Sequence, residues 1–248
     1  MKAEPRILVM MPALNEAGRI GSVVREVFSI LPSADVVVVN DGSSDATARE
    51  AQGAGAIVLP HAVRMGYGAS LETGYLYADQ QGYDVVLQMD SDGQHLPGEL
   101  HSLLKPLESG EADIVIGSRF AGGASGFKTS FIRRFGQRFF GGLLWMMTGQ
   151  RFSDPTSGFQ GLSRRAIRFF SSGVFPCDYP DADVLLMAHR SGLRIREVPV
   201  RMVARSGGIS MHAGWAPLYY GMKMLLALFM VGLNRSQWRQ WKHHLESL

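Results

Sequence analysis

Two periodicities alternate along the first half of this chain. Residues 7–11, 35–39, 56–59, 85–89 and 113–116 are short apolar runs, the pattern of strands buried on both faces. Between them, residues 17–31 carry Ile20, Val23, Val24, Val27 and Phe28 at helical spacing. Residues 45–53, 69–81 and 100–107 predict three more helices, with Ser44 or Asp45 placed to cap the first of them. Repeated strand–helix–strand units imply right-handed crossovers. The predicted fold is therefore α/β, a doubly wound and mainly parallel sheet.

After about residue 120 the pattern changes. Residues 121–127 are rich in glycine, and residues 132–147 mix arginines with Phe135, Phe139, Phe140, Leu143, Leu144 and Trp145. That spacing predicts an amphipathic helix, interrupted at Gly141-Gly142, whose apolar face either lies on the core or touches a membrane. A helix over 182–190 and a strand over 194–200 follow. Residues 217–233 are strongly apolar with Lys223 as the only charge. A bilayer span needs roughly 20 such residues, so this run either lies in the interface, spans, or docks a membrane partner; Lys223 and the flanking arginines favour the interface. The chain thus divides into a domain over 1–212 and a segment of C-terminal amphipathic and apolar helices over 213–248.

At 248 residues and 46% hydrophobic, the chain builds one large domain, with or without an appendage. Net charge is only +3, but Arg133, Arg134 and Arg138 cluster, as do Arg235, Arg239, Lys242, His243 and His244. Such local patches suit phosphate groups or an anionic membrane surface, not a long nucleic acid. The single cysteine, Cys177, allows no disulfide within the chain. Residues 1–6 are polar, without the apolar segment of a signal peptide, so a cytoplasmic location is expected.

In doubly wound sheets ligands bind beyond the carboxyl ends of the strands. Those ends carry Pro12-Ala13-Leu14-Asn15-Glu16, Asn40-Asp41-Gly42-Ser43-Ser44-Asp45 and Asp90-Ser91-Asp92. Two unpaired carboxylates in a core would cost several kcal/mol, so Asp90 and Asp92 belong at an open edge. Hard oxygen ligands there suit Mg²⁺ or Mn²⁺, and a divalent ion so placed holds a diphosphate. The first strand is not followed by G-x-G-x-x-G, which argues against an ordinary dinucleotide site. Gly66-Tyr67-Gly68 precedes a helix and either offers backbone N–H groups to a phosphate or makes a plain tight turn.

Together, these segments with Gln94-His95 and Gly117-Ser118-Arg119, in this order and spacing, resemble family 2 inverting glycosyltransferases. The subgroup is similar to dolichyl-phosphate mannose synthases and bacterial polyprenyl-phosphate glycosyltransferases, and the likeness runs from about residue 6 to 212. It implies a nucleotide-diphospho-sugar transferase (GT-A) fold and transfer of a hexose from a nucleoside-diphosphate sugar, of the GDP-mannose or UDP-glucose type. The implied acceptor is a polyprenyl or dolichyl phosphate at the cytoplasmic membrane face. A hydroxyl acceptor in cell-envelope polysaccharide or glycolipid synthesis is the alternative. The implied enzyme sits peripherally on the membrane, with or without a small integral membrane partner.

Carried over residue by residue, the resemblance puts Pro12, Leu14, Glu16 and Asp41 against the nucleotide. Asn40 stands where relatives usually have aspartate. Asp90, Asp92 and Gln94 become metal ligands, Ser91 lines the donor site, and Arg119 faces the diphosphate. For Asp45, turn and cap duty is preferred. Asp154-Pro155-Thr156-Ser157-Gly158-Phe159 resembles the loop beside sugar and acceptor, which makes Asp154 a contact for sugar hydroxyls or a base. Asp181 and Asp183 are the other candidate bases, and a phosphate acceptor, already anionic, hardly needs one. Glu197-Val198-Pro199, then Arg205 and Ser210, matches a further family motif. Its lysine position falls on Met211 beside His212, which could replace the lysine as a cation or bind metal. Arg133 and Arg134 are candidates to receive the acceptor phosphate.

Overall fold

A computed structural model describes residues 4–121, 131–176, 182–203 and 216–246. The strands are β1 (Ile7–Ala13), β2 (Asp35–Asn40), β3 (Ile57–Pro60), β4 (Val85–Gln88), β5 (Ile114–Ser118), β6 (Gln160–Ser163) and β7 (Ile195–Pro199). They form one seven-stranded sheet in the order β3-β2-β1-β4-β6-β5-β7. Every pairing is parallel except those of β6, which runs antiparallel to both β4 and β5.

Alternation along β1 explains the layering. Leu8 and Met10 point into one core cluster and Val9 and Met11 into the other, all fully buried. On the second face lie α1 (Ile20–Ile30), which buries Ile20, Val23, Val24 and Val27, and α4 (Leu100–Glu108). On the first lie α3 (Tyr67–Gln80), α6 (Arg164–Phe169) and α7 (Ala182–Arg190). The short helix α2 (Thr47–Gly53) follows β2. A glycine lets α3 press on β1, because a Cβ at Gly74 would overlap the buried Met10 side chain.

The amphipathic stretch is α5 (Phe131–Thr148); it and α8 (Ala216–Leu233) both pack on α7. Phe140 and Leu144 of α5 and Met224, Leu228 and Val231 of α8 join the core. The opposite sides expose Trp145 and Met146 on α5 and Met222, Leu226, Phe229, Met230 and Leu233 on α8. The basic C-terminal cluster folds into α9 (Arg235–Glu246), which buries Trp238 and Leu245. Among the described residues, no helix is long and apolar enough to cross a membrane.

The sequence pattern leaves β6 and α6 unannounced. β6 matters for the site. Because it runs against its neighbours, the loop that precedes it emerges at the same rim as the carboxyl ends of β1, β4 and β5. The Asp154–Phe159 segment therefore meets Asp90 and Arg119. A parallel strand in that slot would place the segment at the opposite end of the sheet.

Candidate functional site

The rim begins with two loops laced together. Asn15 adopts φ 55°, a left-handed conformation that asparagine tolerates better than most residues. Its side-chain oxygen accepts from the Ser44 N–H at 3.0 Å, and its own N–H donates to Ser43 Oγ at 3.0 Å. Asp45 accepts from the N–H groups of Ala17 and Thr47, which is turn duty and not ligand duty. Glu16 is buried and pairs with Arg19 at 3.1 Å. Pro12 and Ala13 are buried in β1, and Leu14 is half-buried beyond it.

Asp41 ends β2 on the same rim. Its carboxylate accepts from His61 Nδ1 at 2.9 Å and from the N–H groups of Met65 at 2.7 Å and Gly66 at 2.9 Å. Burial opposes ionisation, but these hydrogen bonds outweigh it and hold the carboxyl below its usual range. Gly66, at φ 102°, opens α3. The Gly66-Tyr67-Gly68 turn thus gives its first N–H to a carboxylate.

The Asp90-Ser91-Asp92 tripeptide leaves β4 with its three side chains doing different things. Ser91 is buried and its hydroxyl donates to the Pro12 carbonyl at 2.8 Å, which ties the loop to β1. Asp90 keeps 30% of its side chain exposed and accepts from Tyr67 Oη at 3.1 Å. Asp92 accepts from the Gln94 backbone N–H at 3.0 Å and from its Nε2 at 2.5 Å. Only the amide nitrogen of Gln94 can face a carboxylate, so its Oε1 is turned away from Asp92.

His95 anchors the start of this loop. The Asp90 N–H donates to His95 Nδ1 at 2.9 Å, so the ring proton sits on Nε2, 3.6 Å from Asp90 Oδ2. The ring stacks on Phe159, with centroids 4.8 Å apart. Burial lowers its pKa, against the pull of Asp90 and Asp92, and favours this neutral tautomer.

Across the cleft, Arg119 follows β5 and Asp154 precedes β6. Arg119 Nε and Nη2 each reach an Asp154 oxygen at 2.7 Å, and the Arg119 N–H adds a third contact at 3.2 Å. Asp154 is 0% exposed. Its carboxylate is the partner of Arg119 and is not presented to the cleft. Glu197, on β7, accepts from the N–H groups of Ser153 and Asp154. The cleft itself is lined by Asp90, Gln94, His95, Arg119, Thr156, Ser157, Gly158 and Met202. Gly158 must be glycine, because a Cβ would stand 2.7 Å from Tyr67 Oη.

Asp183 sits buried in the first turn of α7 and is not among the lining residues. Asp181, Arg205, Ser210, Met211 and His212 lie outside the described residues, as do the side chains of Arg133 and Arg134. Tyr67, His95, Thr156, Ser157, Gly158, Met202 and Glu197 are the participants that sequence reasoning does not assign. All but Met202 stand inside the motifs named above, which is the available signal.

No group of three or more His, Cys, Asp or Glu side chains forms a metal site among the described residues. Mg²⁺ and Mn²⁺ at diphosphate sites need only one or two carboxylates, with substrate oxygens and water completing the shell. Asp90, partly exposed and lining the cleft beside Gln94, fits that requirement; Asp92 lies two residues on and is not among the lining residues, its carboxylate accepting from Gln94.

Comparison with known proteins agrees with this geometry. The sequence profile described as Glycosyl transferase family 2 matches residues 8–170. An undecaprenyl-phosphate mannosyltransferase of Micrococcus luteus is 30% identical over 218 residues, covering 84% of this chain and 88% of the relative. A polyprenol monophosphomannose synthase of Mycolicibacterium smegmatis is 29% identical over 217 residues, covering 84% and 82%. Among solved structures, the glucosyl-3-phosphoglycerate synthase of Mycobacterium tuberculosis with Mn²⁺, UDP-glucose and phosphoglyceric acid superposes with a TM-score of 0.70. It is 25% identical, covering 93% of this chain and 80% of that one.

Proposed function

The chain belongs to glycosyl transferase family 2, and from that premise we propose that it moves a hexose from a nucleoside-diphosphate sugar to a polyprenyl phosphate, with inversion at the anomeric carbon. One observation carries the donor half: Asp90, Gln94 and Arg119 line a single cleft. A cleft with carboxylate and amide oxygens on one wall and a guanidinium on the other matches a metal-bound diphosphate. The relatives named for polyprenyl-phosphate acceptors support the other half.

In this reading Asp90, Asp92 and Gln94 would hold Mg²⁺ or Mn²⁺, and the ion would supply Lewis-acid stabilisation of the leaving diphosphate's negative charge. His95 and Tyr67 fix the Asp90 carboxylate. Arg119, held by Asp154, adds positive charge where the leaving diphosphate develops negative charge. Pro12, Leu14, Glu16 and Asp41 form the nucleotide side. Ser91 serves it indirectly through Pro12. The attacking group is a phosphate oxygen that is already anionic. Asp154 and Asp183, both buried, therefore need not serve as bases. Arg133 and Arg134 are assigned to the acceptor phosphate, and Arg205 and Ser210, by their family motif, to the nucleotide sugar.

Residues 213–248 are proposed as the membrane-associating segment. Phe229 is 62% exposed and Met146 74%, and both belong to the outward apolar sides of α8 and α5. Exposed Arg151 stacks over Trp145 at 5.2 Å, pairing aromatic and cation as interfacial residues do. The enzyme would lie peripherally on the cytoplasmic face, with the sides of α5 and α8 in the lipid.

Two measurements check this. Incubation with radiolabelled GDP-mannose or UDP-glucose, Mn²⁺ and polyprenyl phosphate is expected to move label into the organic phase and release nucleoside diphosphate. Label found only in aqueous glycan would support the hydroxyl-acceptor alternative instead. In vesicle flotation, the protein is expected to rise with phosphatidylglycerol liposomes, and Leu226→Asp with Phe229→Asp to lower the bound fraction about tenfold or more. Equal flotation of wild type and double variant would remove the membrane assignment of α8.

A further inference from the structure

Beside Arg119, the hydroxyl groups at the end of β5 and before β6 form a directed chain of hydrogen bonds. Ser118 Oγ accepts from the N–H groups of Phe120 at 3.2 Å and Ala121 at 3.1 Å. Ser118 Oγ lies 2.8 Å from Ser153 Oγ, and Ser153 Oγ lies 2.9 Å from Glu197 Oε2. A carboxylate only accepts, so the single Ser153 proton points at Glu197. The Ser118 proton must then point at Ser153. The order of donation is fixed from the 120–121 backbone to Glu197.

Glu197 also accepts from the N–H of Ser153 and of Asp154, at 2.9 and 2.8 Å. Three donors from the 153–154 segment thus end on one side chain, two of them backbone groups. The two segments it gathers are those that carry Arg119 and its buried partner Asp154. No direct contact runs from Glu197 to Arg119 in this chain of bonds; its action is through Ser153 and Asp154.

We propose that Glu197 is the positioning residue for Arg119: as the common acceptor at the end of this chain, it sets where the guanidinium meets the donor diphosphate. The proposal rests on the reading of Arg119 given above. Its chemistry requires an acceptor-only side chain. Glutamine has the same shape but offers one acceptor and one NH₂ donor, which faces three donors with a donor. Aspartate keeps the acceptor character and loses only reach.

The test is isothermal titration of UDP and of GDP in the presence of Mn²⁺, beside UMP and GMP, on the full chain. Glu197→Gln is expected to weaken binding of the preferred diphosphate about tenfold, in line with the usual cost of removing a supporting partner. It should change the matching monophosphate less than about twofold, since the second phosphate is what Arg119 is read to meet. Glu197→Asp should recover most of the loss. Ser153→Ala, which keeps both backbone donors, should move in the same direction by less. In an Arg119→Lys background, Glu197→Gln should add nothing, the signature of two groups acting as one.

Equal losses for mono- and diphosphate, no loss at all, or full additivity with Arg119→Lys would each overturn the proposal. If Glu197→Gln melts far below wild type, Ser153→Ala carries the comparison, and wild-type diphosphate affinity in that variant is an overturning result. Wild-type affinity in Arg119→Lys itself would overturn the donor-site reading of Arg119, a different failure from that of the relay.

Discussion

Asp92→Ala is expected to remove most sugar transfer, with turnover falling about 10²–10³-fold, the usual cost of losing one strong electrostatic stabiliser at a leaving group. Asp90→Asn should fall at least as far, because Asp90 is the carboxylate that faces the cleft. Neither change should unfold the chain. Asp90 is partly exposed, and the β4 loop remains tied to β1 through Ser91 and Pro12 at 2.8 Å. The informative measurement is the rate of nucleoside diphosphate release against Mn²⁺ concentration. Both variants should need more Mn²⁺, and chelation of wild type by EDTA should reproduce their loss. Wild-type turnover in Asp92→Ala would end the metal assignment.

Arg119→Ala should combine a catalytic and a structural loss, and the two can be separated. Asp154 is fully buried and bound to Arg119 through two contacts of 2.7 Å. Removing the guanidinium strands a buried carboxylate, at about 3–5 kcal/mol. For a chain of this size that is a fall in melting temperature of about 6–20 °C. The double variant Arg119→Ala with Asp154→Asn removes the stranded charge and should recover much of the melting temperature. It should not recover diphosphate binding. A double variant that binds UDP or GDP like wild type would mean that Arg119 serves only to neutralise Asp154.

How much of this site is legible in the sequence differs residue by residue. The alternation of apolar runs and helical spacing locates β1 to β5 and their helices, because β1, β2, β4 and β5 are buried almost throughout and the pattern is long; β3, a partly exposed edge strand, is legible from its apolar run alone. Asp90 and Asp92 are legible because charge at the end of an apolar strand has few tolerable places. β6 is not, because Gln160-Gly161-Leu162-Ser163 is short, has polar ends, and takes its direction from pairing with strands remote in sequence. Without β6, Asp154 is read only through its loop's resemblance, as a contact for sugar hydroxyls or a base. Its guanidinium partner is 35 residues away. The division of labour within Asp90-Ser91-Asp92 was also out of reach, since spacing does not reveal that Ser91 faces inward to Pro12.

The antiparallel insertion of β6 has a consequence for biosynthesis. β4 and β5 are consecutive in the chain but never pair; each meets the other only through β6. As the chain leaves the ribosome, β4 can dock on β1 at once, while its other edge has no strand to receive until Ser163 is out. At ~5–20 residues per second the interval from Gln88 to Ser163 lasts about 4 to 15 s. For that time the β1–β4 half of the rim exists with an open strand edge beside it, the condition under which sheets pair with the wrong partner. Closure of that gap and assembly of Asp90 with Arg119 are one event, so a nascent chain gains the cleft they line only when that edge is sealed.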